Sequence, residues 1–230
     1  MRSNIILITA AGYTKVDQGY FNQNLSLDTT QLIPFLKDTQ SKTWEKLEKL
    51  LGARTEEVLL DELCKAMDSR GSLDVIRHGL KCYGEGLKLA YFAPRHSMNS
   101  DEMVLYGKNR LTIIRQLLFK ATSTQALDLT ICLNGIPIIT AEVKNPMTGQ
   151  DVQKAIWQYR NDRDPNDLIF QFKKRTLVHF AVDPDEVYMT TRLAGKSTYF
   201  LPFNRGNGLG AGNPPAAPGA VDTKPWQVVP

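Results

Sequence analysis

The chain has 230 residues, 42% hydrophobic and 23% charged, with a formal net charge of +4. This is enough for one sizeable domain or two small ones, with an ordinary globular composition. So weak a positive charge excludes a polybasic coat, so nucleic-acid affinity must come from local patches, and no apolar run approaches the ~20 residues that span a bilayer.

Cys64, Cys82 and Cys132 are odd in number and lack metal-type spacing, which suits a reduced, cytoplasmic setting. His78, His96 and His179 are scattered, which argues against a histidine-built zinc site. The apolar run Ile5 to Ile8 after Arg2 is too short for a secretory leader, and residues 1–28 receive no function.

Residues 29–70 read as helices. Leu32, Phe35 and Leu36, then Trp44, Leu47, Leu50 and Leu51, recur at helical spacing, with Ser41 as a cap for the second segment. A third helix is expected from Thr55 to about Ser69, with Val58, Leu59, Leu63 and Met67 inward and Gly71 as its stop. Leu87 to Phe92 reads as a strand ending at Pro94, Arg95 to Glu102 as a loop, and Arg110 to Phe119 as a strand whose Arg115 and Gln116 are within reach of a phosphate.

From Leu127 to Lys144 the pattern is a β-hairpin turning at Asn134-Gly135. A two-residue loop would place Glu142 and Lys144 among leucines, at a cost of several kcal/mol each unless paired. A three-residue loop, Leu133-Asn134-Gly135, instead gathers Leu127, Leu129, Ile131, Leu133, Ile139, Ala141 and Val143 on a buried apolar face. The other face then carries Asp128, Thr130, Cys132, Thr140, Glu142 and Lys144, with Asp128 opposite Thr140 and diagonal to Glu142, roughly 7 Å between Cβ atoms. Two carboxylates so spaced suit Mg²⁺, and a lysine beside them suits the charge of a phosphoryl transition state. The same alternation also describes a plain half-exposed sheet.

Beyond the hairpin, Gln150 to Asn161 reads as a helix whose Val152, Ala155, Ile156 and Tyr159 pack on the sheet, with Gln158 at the edge of that stripe. Thr176 to Val182 is a central strand, Asp183-Pro-Asp185 a turn, and Glu186 to Thr191 a returning strand. Lys154, Arg160, Arg163, Lys173 and Lys174 are candidates for contacting a DNA backbone, or a solvated surface. Gly195-Lys-Ser-Thr198 is not a phosphate loop, because Thr190 stands where the motif needs glycine. Residues 205–230 are rich in glycine and proline and read as a linker.

Asp128, the Asn-Gly turn, Pro137, Glu142-Val-Lys-Asn-Pro146 and Ala155-Ile-Trp-Gln-Tyr-Arg-Asn-Asp-Arg163 resemble the nuclease domain of type I restriction endonuclease R (motor) subunits, within the PD-(D/E)xK superfamily. The blocks 35–40, 109–116, 188–195 and 200–204 resemble it too, so the likeness runs from about residue 30 to 213. It implies an α/β fold: a mixed central sheet flanked by helices, with a helical preamble at 1–85, a nuclease core at 86–204, and a linker toward a motor. It further implies Mg²⁺-dependent cleavage of duplex DNA, with Asp128, Glu142 and the Val143 carbonyl on the metal, Lys144 at the attacking water and Gln158 in support. The family's Gln-x-x-x-Tyr motif is broken here, since Asp162 stands four residues after Gln158. Methyltransferase and specificity subunits are the implied partners, and ATP acts only through the motor. Two alternatives remain open at this point: an inactive DNA-binding or assembly domain, and a stand-alone repair-type nuclease.

Overall fold

The computed structural model describes residues 12–94, 100–145, 149–204 and 212. The expectations for residues 5–8 and for nearly all of 205–230 lie outside these residues.

Four helices follow one another early in the chain: α1 (Thr29–Thr39), α2 (Ser41–Leu51), α3 (Thr55–Arg70) and α4 (Ser72–His78). The Asp28 carboxylate caps α1 by accepting the Thr30 N–H at 3.1 Å. Leu32, Phe35, Leu36, Trp44, Leu47, Leu59, Leu63 and Met67 are buried together, as helical spacing predicts, but Leu51 and Val58 are only half-buried and Leu50 faces outward. Ser41 is not the cap of α2 but its first residue; Gln40 precedes the helix, and its amide is engaged elsewhere.

That amide explains why the strand expected at Leu87 to Phe92 is shorter. Only Leu80–Cys82 (β2) and Glu85–Leu87 (β3) pair, as a small hairpin. Beyond them, Gln40 accepts from the Lys88 N–H at 2.7 Å and donates to its carbonyl at 2.9 Å. Asn109 does the same at Tyr91, at 3.1 and 2.6 Å. Side-chain amides here take the place of a neighbouring strand, satisfying the backbone without a ladder. Ser100–Gly107, its first three residues expected as loop, is a helix, α5; the rest of that expected loop, 95–99, lies outside the described residues.

The central sheet has seven strands: β1 (Thr14–Val16), β4 (Leu111–Leu118), β5 (Ala126–Leu133), β6 (Ile136–Val143), β7 (Val178–Val182), β8 (Val187–Thr190) and β9 (Leu201–Pro202), in the order β1-β4-β5-β6-β7-β8-β9. The β1/β4 and β6/β7 pairs are parallel and the others antiparallel, so the sheet is mixed. Helix α6 (Val152–Asn161) makes the crossover that the parallel β6/β7 pair requires. Its stripe Val152, Ala155, Ile156 and Tyr159 is wholly buried. Because β1 joins the sheet beside β4, residues ahead of the helices contribute to the core.

Arg175, 1% exposed, ties the helical part to the sheet. Its guanidinium donates to the Leu25 carbonyl at 2.7 Å, the Lys174 carbonyl at 2.8 Å and the Asp68 carboxylate at 2.9 Å.

The hairpin corrects the expected loop. Leu133 pairs with Ile136, so the turn is the two-residue Asn134-Gly135, both with positive φ, +51° and +83°. The register then shifts: Cys132 pairs with Pro137 but Ile131 with Ile139, leaving Ile138 as an extra residue, a bulge in β6. The expected three-residue loop is thus replaced by a tight turn plus a bulge. Farther out, Leu129 pairs with Ala141, so the next residues, Asp128 and Glu142, stand directly opposite each other rather than on a diagonal.

The expected division of faces holds only in part. Leu127 and Ala141 are buried as expected, but Thr130, Cys132, Thr140 and Glu142 are buried too, whereas Leu129, Ile131, Leu133 and Ile139 are half-buried and Val143 is exposed. The polar face can go inside because its groups are small or find partners there.

Candidate active site

Asp128 lies at the start of β5, Glu142 and Lys144 at the end of β6, and the β5/β6 register puts them together. One Asp128 oxygen, Oδ2, accepts the Val143 N–H at 2.9 Å and lies 3.4 Å from the Lys144 ammonium. The other, Oδ1, accepts the Gln116 side-chain amide at 2.9 Å. Burial pushes the Asp128 carboxyl up, but the Val143 N–H, the Lys144 charge and the Gln116 amide outweigh it and hold its pKa below the usual value.

Glu142 is fully buried. Its Oε1 accepts two bonds from the Arg163 guanidinium, from Nε at 2.9 Å and Nη2 at 2.6 Å. Its Oε2 has no hydrogen-bond partner among the described residues and lies 3.9 Å from Lys144 Nζ. Burial drives the Glu142 pKa up to about 8; Arg163 pulls it down, and the charge of Asp128 and a hydrogen bond shared with that carboxyl push it back up.

Below the carboxylates is a buried polar chain. Thr140 Oγ1 lies 2.9 Å from the Tyr159 hydroxyl and 2.7 Å from His179 Nδ1. Burial holds His179 neutral, with its pKa lowered to about 3, and raises the Tyr159 phenol well above its ordinary range. At the outer end of β7, the Asp183 carboxylate accepts the Val152 N–H at 2.9 Å and the Asp185 and Glu186 N–H groups at 2.8 and 2.7 Å. It fixes where α6 begins, one strand from Lys144, whose N–H bonds to the Val182 carbonyl at 2.8 Å.

An orphaned, buried carboxylate oxygen facing a second carboxylate is the donor set of a hard divalent cation. A cation there would give Oε2 a partner and favour ionised carboxylates on both strands. The residues present therefore fit Mg²⁺, with the Val143 carbonyl, on the residue between Glu142 and Lys144, as a third oxygen from the same strand end.

The remaining sequence candidates are placed differently. Gln158 is half-exposed on α6 and, among the described residues, its side chain makes no hydrogen bond; the helix reaches the site through Tyr159. Lys154 is exposed, its ammonium 4.0 Å from the Trp157 ring centre. Arg160 donates to the Thr198 carbonyl at 3.0 Å. Lys173 is exposed near Phe172, Lys174 is half-buried, and both give their carbonyls to Ser72, at 2.7 Å each. Arg163, expected on a DNA-facing surface, is instead 3% exposed and turned inward to Glu142, so no duplex backbone reaches it. Gln116, considered only for a phosphate, meets Asp128. No local pattern marks either contact, since the partners are 12 and 21 residues apart.

The chain matches a protein-family model. The family model described as "Type I restriction enzyme R protein N terminus" covers residues 5–198. No curated relative matches the chain.

Proposed function

Because the chain belongs to the family of type I restriction enzyme R protein N termini, the nuclease region of such enzymes, we propose that it hydrolyses phosphodiester bonds of duplex DNA with Mg²⁺. Asp128, Glu142 and the Val143 carbonyl would hold the cation. When bound, the cation lowers the pKa of a water and offsets charge on the phosphoryl oxygens.

The other tasks fall to the chain's own side chains. The Lys144 ammonium, 3.4 Å from Asp128 and 3.9 Å from Glu142, holds the attacking water in line and stabilises negative charge on the phosphorus oxygens. The water oxygen, giving up a proton to solvent, would bond to phosphorus as the opposite P–O bond breaks, and the departing sugar oxygen would take up a proton from solvent. Tyr159, through Thr140, keeps the middle of β6 in place; this part, expected from Gln158, we assign to the buried tyrosine. Lys154, exposed on a helix that begins beside the strand end carrying Lys144, is the best-placed of the expected cations to meet a DNA backbone. Target recognition and protection would belong to specificity and methyltransferase subunits, ATP use to a motor region, and the location would be the cytoplasm.

One observation carries this reading: two opposed acids with a lysine between them, one of whose buried oxygens lacks a partner. The test is Mg²⁺-dependent plasmid cleavage by the complete complex carrying Asp128→Ala or Lys144→Ala. Each variant is expected to lose at least about 100-fold in rate; cleavage at the wild-type rate would overturn the proposal. Cutting by this chain without ATP or partners would favour the stand-alone nuclease instead.

A further inference from the structure

We propose that Gln116 and Arg163 are positioning residues that set the Asp128 and Glu142 carboxylates in place before any cation arrives. The inference rests on the metal reading above and adds two residues to it.

Each carboxylate has one oxygen committed to a donor from outside the β5/β6 pair. On Glu142, Arg163 puts both Nε and Nη2 on Oε1, so the guanidinium plane fixes the rotation of the carboxylate and leaves Oε2 facing Lys144. The same Nη2 also donates to the Ala126 carbonyl at 2.7 Å, two residues before Asp128. A single buried guanidinium thereby ties the strand carrying one acid to the strand carrying the other. Lysine cannot reproduce this, because a point-like ammonium lacks the planar fork.

On Asp128 the donor is Gln116, in the middle of β4. The β4/β5 ladder pairs Arg115 with Leu129 and Leu117 with Leu127, and Gln116 between them has φ +50°. A non-glycine residue there is strained, and such strain persists where the surroundings require it. Here its result is an amide aimed at Asp128 Oδ1 at 2.9 Å, a contact that adds no charge to compete with a cation.

The test is calorimetric titration of Ca²⁺ into the full 230-residue chain, comparing wild type with Asp128→Asn, Arg163→Lys and Gln116→Asn. Asparagine tolerates the left-handed backbone and falls one methylene short of Asp128. Wild type is expected to bind, Asp128→Asn not to, and the two positioning variants to bind roughly 10-fold more weakly or worse, the usual range for groups behind a metal ligand. In the assembled complex the same variants should need correspondingly more Mg²⁺ and recover rate as it saturates, a pattern that mere loss of folded protein does not produce. Wild-type Ca²⁺ affinity in Arg163→Lys and Gln116→Asn overturns the inference while leaving the metal reading standing. If wild type binds no better than Asp128→Asn, the metal reading falls and this inference with it. Should Arg163→Lys fail to fold, Gln116→Asn, changed at an exposed side chain, decides the matter.

Discussion

Replacing Gly135 with alanine tests how the site-bearing hairpin is held. Gly135 has φ +83°, and a Cβ built on it overlaps the Asp28 carbonyl and comes within 2.9 Å of the Leu32 nitrogen, both backbone atoms at the head of α1. The Asp28 N–H already donates to the Gly135 carbonyl at 2.8 Å, so neither side can retreat without losing that bond. Forcing an L-residue into the left-handed region costs roughly 1–2 kcal/mol, and displacing packed backbone adds roughly 1–3 kcal/mol. The sum, about 3 kcal/mol, corresponds to a fall in Tm of roughly 10 °C for a domain of this size. Gly84→Ala is the control: φ is +86°, but nothing lies within 4 Å of the added carbon, so only the backbone cost remains. Urea denaturation of both variants at neutral pH measures the difference. Equal losses would mean that the hairpin tip is not seated against α1 as described, and the reasoning would fail. The consequence reaches function, because the tip starts the register that brings Asp128 opposite Glu142.

Other outcomes follow from single contacts. Thr140→Val leaves the buried Tyr159 hydroxyl and His179 Nδ1 without their shared partner, at an expected cost of about 2 kcal/mol; a loss below about 0.5 kcal/mol by urea denaturation would count against the chain of bonds. His179 has its folded-state pKa lowered to about 3 from 6.5, so the unfolded chain takes up its proton first. Stability from this group is fully present above pH 6.5 and is lost as pH falls toward 3, about 2 kcal/mol by pH 5. His179→Phe should flatten that part of the stability profile by about one proton, and an unchanged slope would refute the burial argument. Arg175→Ala, which strips the Leu25 carbonyl of its donor, leaves the Lys174 carbonyl with Ser72 alone and leaves Asp68 unpaired, should cost about 3 kcal/mol. Asp68→Ala, at a residue 43% exposed on its side chain, should cost under about 1 kcal/mol; similar losses would show that the arginine does not act as the clamp.

Sequence alone determined the elements whose signal is local. The stripe Val152, Ala155, Ile156 and Tyr159, most of the hydrophobic spacing of α1 to α3, the place of the Asn134-Gly135 turn and the strands β7 and β8 follow from backbone periodicity and turn preference. Placing Asp128, Glu142 and Lys144 on one face was legible too, because side chains alternate along a strand whatever surrounds them. Tertiary structure decided how much of each face goes inside, and here periodicity misleads in part, since Leu127 and Ala141 are buried as expected but the polar face is buried with them. Polar groups on this face are tolerated inside where they find partners, as Glu142 does in Arg163 and Thr140 in Tyr159 and His179, or where they are small, like Thr130. Tertiary contacts also accompany the even register reached through a bulge at Ile138 rather than a longer loop, since Asn134 is held by Leu89, Asn109 and Arg110, and Gly135 by Asp28. The cost of burying a charge depends on what faces it in space, and those groups lie too far along the chain for any local pattern to announce them.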